Sequence, residues 1–128
     1  MSGSYVQRDR VNHSVEAIIK SFERATLGIR GRSPNGRELV SKYQSVKGDK
    51  YENAYKKKER AYARLAILGD RRPYTLKVQL VIEERTEYGT YEVVDEDDDA
   101  AQALLDKMVE FLVNRPDKDD FIDDYRAF

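Results

Sequence analysis

Apolar residues recur at three- and four-residue spacing in two stretches of the chain. From Ser14 to Thr26, Val15, Ile18, Ile19, Phe22 and Ala25 form one stripe, with Glu16, Lys20, Glu23 and Arg24 on the opposite side. That period predicts an amphipathic helix. Ser14 is placed to cap its start, and Gly28 ends it. Glu16 and Lys20 form an i,i+4 pair in the favourable order, worth about 0.2–0.5 kcal/mol. From Asp97 to Asn114 the stripe is Ala101, Leu104, Leu105, Met108, Phe111 and Leu112, and Pro116 stops the element.

Between these helices the period shortens to two. Tyr74, Leu76, Val78, Leu80 and Ile82 alternate with Thr75, Lys77, Gln79 and Glu83, which predicts a half-buried strand from Tyr74 to Glu84. Lys58 to Leu68 alternates Ala61, Ala63, Leu65 and Ile67 with Arg60, Tyr62, Arg64 and Ala66. The breaker Gly69-Asp70-Arg71-Arg72-Pro73 joins the two as a long antiparallel hairpin. Glu38 to Ser45 is predicted as a strand with Leu39, Ser41 and Tyr43 on one face and Val40, Lys42 and Gln44 on the other. Thr90 to Val94 follows the turn at Glu87-Tyr88-Gly89, and Tyr5 to Val11 reads as a charged edge strand. Gly28 to Gly36 reads as turn, with Asn35-Gly36 a hairpin signal if strands flank it. Val46 to Lys57 reads as loop.

One-sided strands need a layer over their apolar face, and two amphipathic helices are at hand. The fold class predicted is α+β: an antiparallel sheet of three to five strands with two main helices packed on one face. Residues 1–4 read as a tag or disordered start, 5–115 as a single domain, and 116–128 as a tail. In that tail Phe121, Ile122, Tyr125 and Phe128 share one face of a short C-terminal helix, which either docks on its own domain or offers a groove-binding surface to a partner protein.

Composition changes this picture mainly by exclusion. The 128 residues suit one domain. The absence of cysteine excludes disulfides, thiolate zinc sites and a cysteine nucleophile, and a single histidine excludes a histidine-rich metal cluster. No apolar run approaches the ~20 residues that span a bilayer. Net charge is only −1, yet residues 1–77 hold 18 Lys/Arg against 8 Asp/Glu, and residues 78–128 hold 5 against 16. Such asymmetry points to charged partners or to halves that attract each other in the fold.

Three features bear on chemistry. Asp95-Glu96-Asp97-Asp98-Asp99 offers oxygen ligands but lacks the calcium-loop glycine, and acids crowd a helix start because the dipole favours them there; no metal is assigned. Lys56, Lys57, Lys58, Arg60 and Arg64, within the basic stretch Lys47–Arg72 and interleaved with Tyr51, Tyr55 and Tyr62, are the candidate nucleic-acid contacts. Asp49, Glu52 and Glu59 dilute them. His13 sits at a helix start with no nucleophile elbow in the sequence, and Gly28, Gly31 and Gly36 match no phosphate loop. Neither a catalytic residue nor a cofactor is expected.

Arg8 to Ser14 leading into a helix, Asn35-Gly36-Arg37 opening a strand, and Tyr74 to Ile82 preceding the helix at Ala101 to Leu112 resemble the helix-grip modules of bacterial outer-membrane lipoproteins, such as the C subunit of the barrel-assembly machinery. The resemblance covers about residues 5–114. It implies a non-enzymatic assembly domain working by protein contacts on the periplasmic side of an outer membrane, lipid-anchored through a cysteine outside this chain. A cytoplasmic α+β protein accounts for the same residues, and a small nucleic-acid-binding protein is the functional alternative.

Overall fold

The computed structural model describes residues 4–45 and 57–114. Its elements run β1 (Val6–Val11), α1 (Val15–Ala25), β2 (Ile29–Arg32), β3 (Glu38–Ser41), β4 (Glu59–Leu68), β5 (Tyr74–Arg85), β6 (Tyr91–Glu96) and α2 (Asp98–Asn114). The fold is α+β: one antiparallel sheet of six strands in the order β1-β5-β4-β3-β2, with β6 also on β5. At 12 residues, β5 is long enough for two short strands to share one side of it. β1 pairs along Tyr74–Val78, and β6 along Val81–Arg85.

Alternation along β4 and β5 sends Ala61, Ala63, Leu65, Ile67, Tyr74, Leu76, Val78, Leu80 and Ile82 to one side. There they join Ile18, Phe22 and Ala25 of α1 and Ala101, Leu104, Leu105, Met108 and Leu112 of α2 in a single cluster, so both helices cover the same face. Phe22, Ile18 and Met108 have no exposed surface. Ser14 caps α1 by accepting the Ala17 N–H (3.1 Å), and Thr26 closes its end by donating to the Phe22 carbonyl (2.8 Å). Asp97 caps α2: its carboxylate accepts the Ala100 N–H at 3.0 Å.

The expectation of three to five strands falls short by β2, which lies inside the stretch read as turn. Four residues with a glycine among them carry no readable alternation. The turn that follows is Ser33-Pro34-Asn35-Gly36, closed by Gly36 N–H to the Ser33 carbonyl (2.9 Å) with Gly36 at φ +72°. Pro34 and Asn35 therefore occupy its centre, rather than Asn35-Gly36.

A second difference is the face of Tyr43. Val40 pairs with Arg64, but Gln44 pairs with Ala61, so four steps on one strand meet three on the other. The extra residue is a bulge, and it switches every later side chain to the opposite face. Tyr43 thus leaves the side of Leu39 and Ser41, and Gln44 becomes buried at 4% exposure. Ser41, fully buried, stabilises the bulge by accepting the Ala63 N–H on its hydroxyl (2.8 Å) and donating to the Lys42 carbonyl (2.9 Å). The C-terminal helix expected over the tail lies outside the described residues.

Candidate binding face

The other side of the sheet carries no helix among the described residues, and its side chains are set by the same alternation. Across β4 and β5, Arg60 stands opposite Glu83, Tyr62 opposite Val81, Arg64 opposite Gln79 and Ala66 opposite Lys77. The bulge brings Tyr43 to this face beside Tyr62, ring edge to ring face with centroids 5.8 Å apart at 82°.

Arginines interleave with these rings. Arg30, from edge strand β2, places its guanidinium 4.3 Å from the Tyr43 centroid and 4.9 Å from that of Tyr62. It is held there by donating from Nε to the Ser41 carbonyl (3.1 Å). Arg60 lies between Tyr43 (3.7 Å) and Tyr91 (3.4 Å) and donates from Nε to Glu83 Oε1 at 2.9 Å. With side-chain exposures of 9% and 14%, Arg60 and Glu83 form an ion pair largely withdrawn from water. Tyr91 is anchored in turn by its hydroxyl donating to the Lys57 carbonyl (2.7 Å). The result is a ladder of cation–π contacts, each worth about 0.5–2 kcal/mol depending on desolvation. Burial, followed by the charge of Glu83, pushes the Tyr62 hydroxyl above the ordinary tyrosine value of 10.0.

Next to the ladder lies a groove of about 290 Å³. Val40 and Ala66 line its floor, and Tyr5, Arg64, Lys77 and Gln79 stand around it with Glu38. Gly31 pairs with Val40, and a Cβ there would come within 3.1 Å of the valine side chain, so the glycine gives Val40 its room. Lys77 Nζ sits 4.4 Å from the Tyr5 ring centroid. Glu96 accepts from Gln79 Nε2 (2.9 Å) and from the Ser4 N–H (3.0 Å), which ties the start of the described chain to the rim.

Of the residues singled out for nucleic acid, Lys57 and Lys58 are exposed at one end of this face and Arg64 is exposed on the groove. Arg60 is buried in its ion pair. Lys56 lies outside the described residues, as do Phe121, Ile122, Tyr125 and Phe128. Sequence reasoning missed Arg30, Tyr43, Glu83 and Tyr91. A signal existed for part of the ladder, since the outward positions of β4 read Arg-Tyr-Arg instead of the usual mixture of small polar and charged residues. The bulge that recruits Tyr43 left no such trace.

Among the described residues no group of three or more His, Asp or Glu side chains could hold a metal ion, and no helix is long and apolar enough to cross a membrane. No protein-family model and no curated protein matches this chain. The open face presents fixed rings, guanidinium groups and a small apolar recess.

Proposed function

We propose that the chain is a non-enzymatic binding and assembly module acting through protein contacts on the open face of its sheet. The observation that carries this reading is the arginine–tyrosine ladder standing beside the groove. Tyrosine and arginine dominate protein-interface hot spots, and rings already fixed by their neighbours lose little entropy when a partner docks. The groove, at about 290 Å³, is at the lower limit of the roughly 300–1,000 Å³ typical of small-molecule sites, and suits one or two side chains better than a metabolite.

The nucleic-acid alternative has weaker support. Bases stack on free aromatic faces, whereas Tyr43, Tyr62 and Tyr91 each already carry a guanidinium of Arg30 or Arg60 against the ring. Glu83 further occupies the Arg60 guanidinium, one of the candidate phosphate contacts. The order strand, helix, antiparallel strands and long helix is in keeping with the helix-grip likeness, and that likeness alone implies a place on the periplasmic side of a bacterial outer membrane.

The test is affinity capture from the native host with the wild-type chain, with Arg64→Glu/Lys77→Glu on the open face, and with Gln102→Lys/Asp106→Lys on the exposed side of α2. The proposal expects a defined protein partner that survives nuclease treatment, is lost with the first variant and persists with the second. Material that disappears on nuclease treatment would favour the alternative.

A further inference from the structure

The open face as a whole carries a modest excess of basic groups, with Arg64 and Lys77 at the groove, and the chain carries an acidic, aromatic segment of its own beyond α2. Arg30, Lys58, Arg64, Lys77 and Arg85 stand on this face against Glu38, Glu96 and Asp9, while Arg60 and Glu83 neutralise each other. Residues 115–128 set five aspartates against Arg115, Lys118 and Arg126, a balance of −2, around Phe121, Ile122, Tyr125 and Phe128. We infer that residues 115–128 of this chain are an occupant of the open face, placing an apolar side chain over Val40 and Ala66 with aspartates toward Arg64 and Lys77.

Charge, reach and tethering favour this occupant. The segment 46–56 holds Lys47, Lys50 and Lys56 against Asp49 and Glu52, so it shares the charge of the face; the C-terminal segment opposes it. Phe121, Ile122 and Tyr125 lie seven to eleven residues past Asn114, and extended these stretches span up to about 23–40 Å, against a radius of gyration of about 14 Å for a domain of this size. That length allows passage from the helical layer around a sheet edge to the far face. Tethering gives the segment an effective concentration on the order of millimolar, so even a contact of millimolar intrinsic affinity is occupied about half the time. A partner for the same face must then displace it, which makes the segment a competitor built into the chain.

This inference rests on the open face being a binding surface, and its test separates the two. Because the chain has no cysteine, Ala127→Cys gives the full-length protein one site for a nitroxide label. Amide signals of Val40, Arg64, Ala66, Lys77 and Gln79 should lose about half or more of their intensity relative to the reduced label. The loss should vanish in high salt and in the Arg64→Glu/Lys77→Glu background. Broadening confined to the helices, or none at all, overturns the inference, as does broadening that survives the charge reversal. Mixing labelled chains with unlabelled isotope-enriched chains supplies the remaining arm: broadening that passes between chains assigns the face to a second copy and overturns the intramolecular reading. A partner captured through the open face while the label reports no contact would leave the binding proposal standing and remove only this one.

Discussion

Arg60 and Glu83 give the sharpest energetic test of the face. The pair is joined at 2.9 Å with side-chain exposures of 9% and 14%, and the guanidinium is clasped by rings at 3.7 and 3.4 Å. Arg60→Met keeps most of the stem packing and offers a thioether to the two rings, so the ring contacts are largely replaced. What is lost is the partner of Glu83. Removing one member of a buried pair costs about 3–5 kcal/mol. Glu83 retains some contact with water, which places the expected cost near the lower end, about 3 kcal/mol. For a chain of this length that lowers Tm by about 11 °C, using about 2.1 cal/mol/K of unfolding entropy per residue. The double variant Arg60→Met/Glu83→Leu removes both charges and should recover most of the loss, because apolar replacement of a whole buried pair is often neutral or stabilising. Urea unfolding of wild type, both single variants and the double variant measures the coupling directly. If Arg60→Met stays within half a kcal/mol of wild type, or the double variant is no better than the single, the pair is not buried as described and the ladder is not a fixed structure.

Other expectations follow from individual contacts. Ser41→Ala leaves the buried Ala63 N–H without its 2.8 Å acceptor and should cost about 1–3 kcal/mol in urea unfolding; a silent substitution would remove the serine from its role in the bulge. Phe22→Ala and Leu105→Ala, at residues 0% and 1% exposed, should each cost about 2–5 kcal/mol, and calorimetry showing less than half a kcal/mol for either would turn its helix stripe to water. Tyr62 titrates above 10.0 in the fold because of burial and the charge of Glu83. Between the unfolded and folded values the folded chain holds the proton more tightly, so its contribution to stability is complete below pH 10 and is lost as pH rises through the folded value. Alkaline difference spectroscopy should show one late-ionising tyrosine that Tyr62→Phe removes; its persistence in that variant would assign the shift to another ring.

The parts legible in the sequence are those whose side-chain period survives into the fold. The stripes of α1 and α2 were readable because each helix buries one face against the same sheet, so packing reinforces the local pattern. The β4–β5 hairpin was readable because alternation runs unbroken for ten paired positions from Glu59 to Leu68. β2 was not, since an edge strand of four residues with Gly31 in it needs neither apolar alternation nor strong propensity. Nor was the face of Tyr43. One residue inserted between Val40 and Gln44 inverts the alternation, and only the partner strand reveals the count. The ladder depends on that inversion, with Arg30 supplied by the unread strand and Tyr91 by the second side of β5. The ladder was therefore visible only as Arg60, Tyr62 and Arg64, three outward positions of one strand, and the reason for their identity lay on β2, β5, β6 and the bulged segment after β3.

The central claim is that the uncovered side of the sheet is where this chain meets a protein. The most direct measurement places a photo-crosslinking residue at Ala66, on the groove floor, and separately at Gln102, on the exposed side of α2. After irradiation in the native host, the account predicts a discrete protein adduct from position 66 that is insensitive to nuclease and absent from position 102. Adducts from position 102 alone, or nucleic acid at position 66, would contradict it.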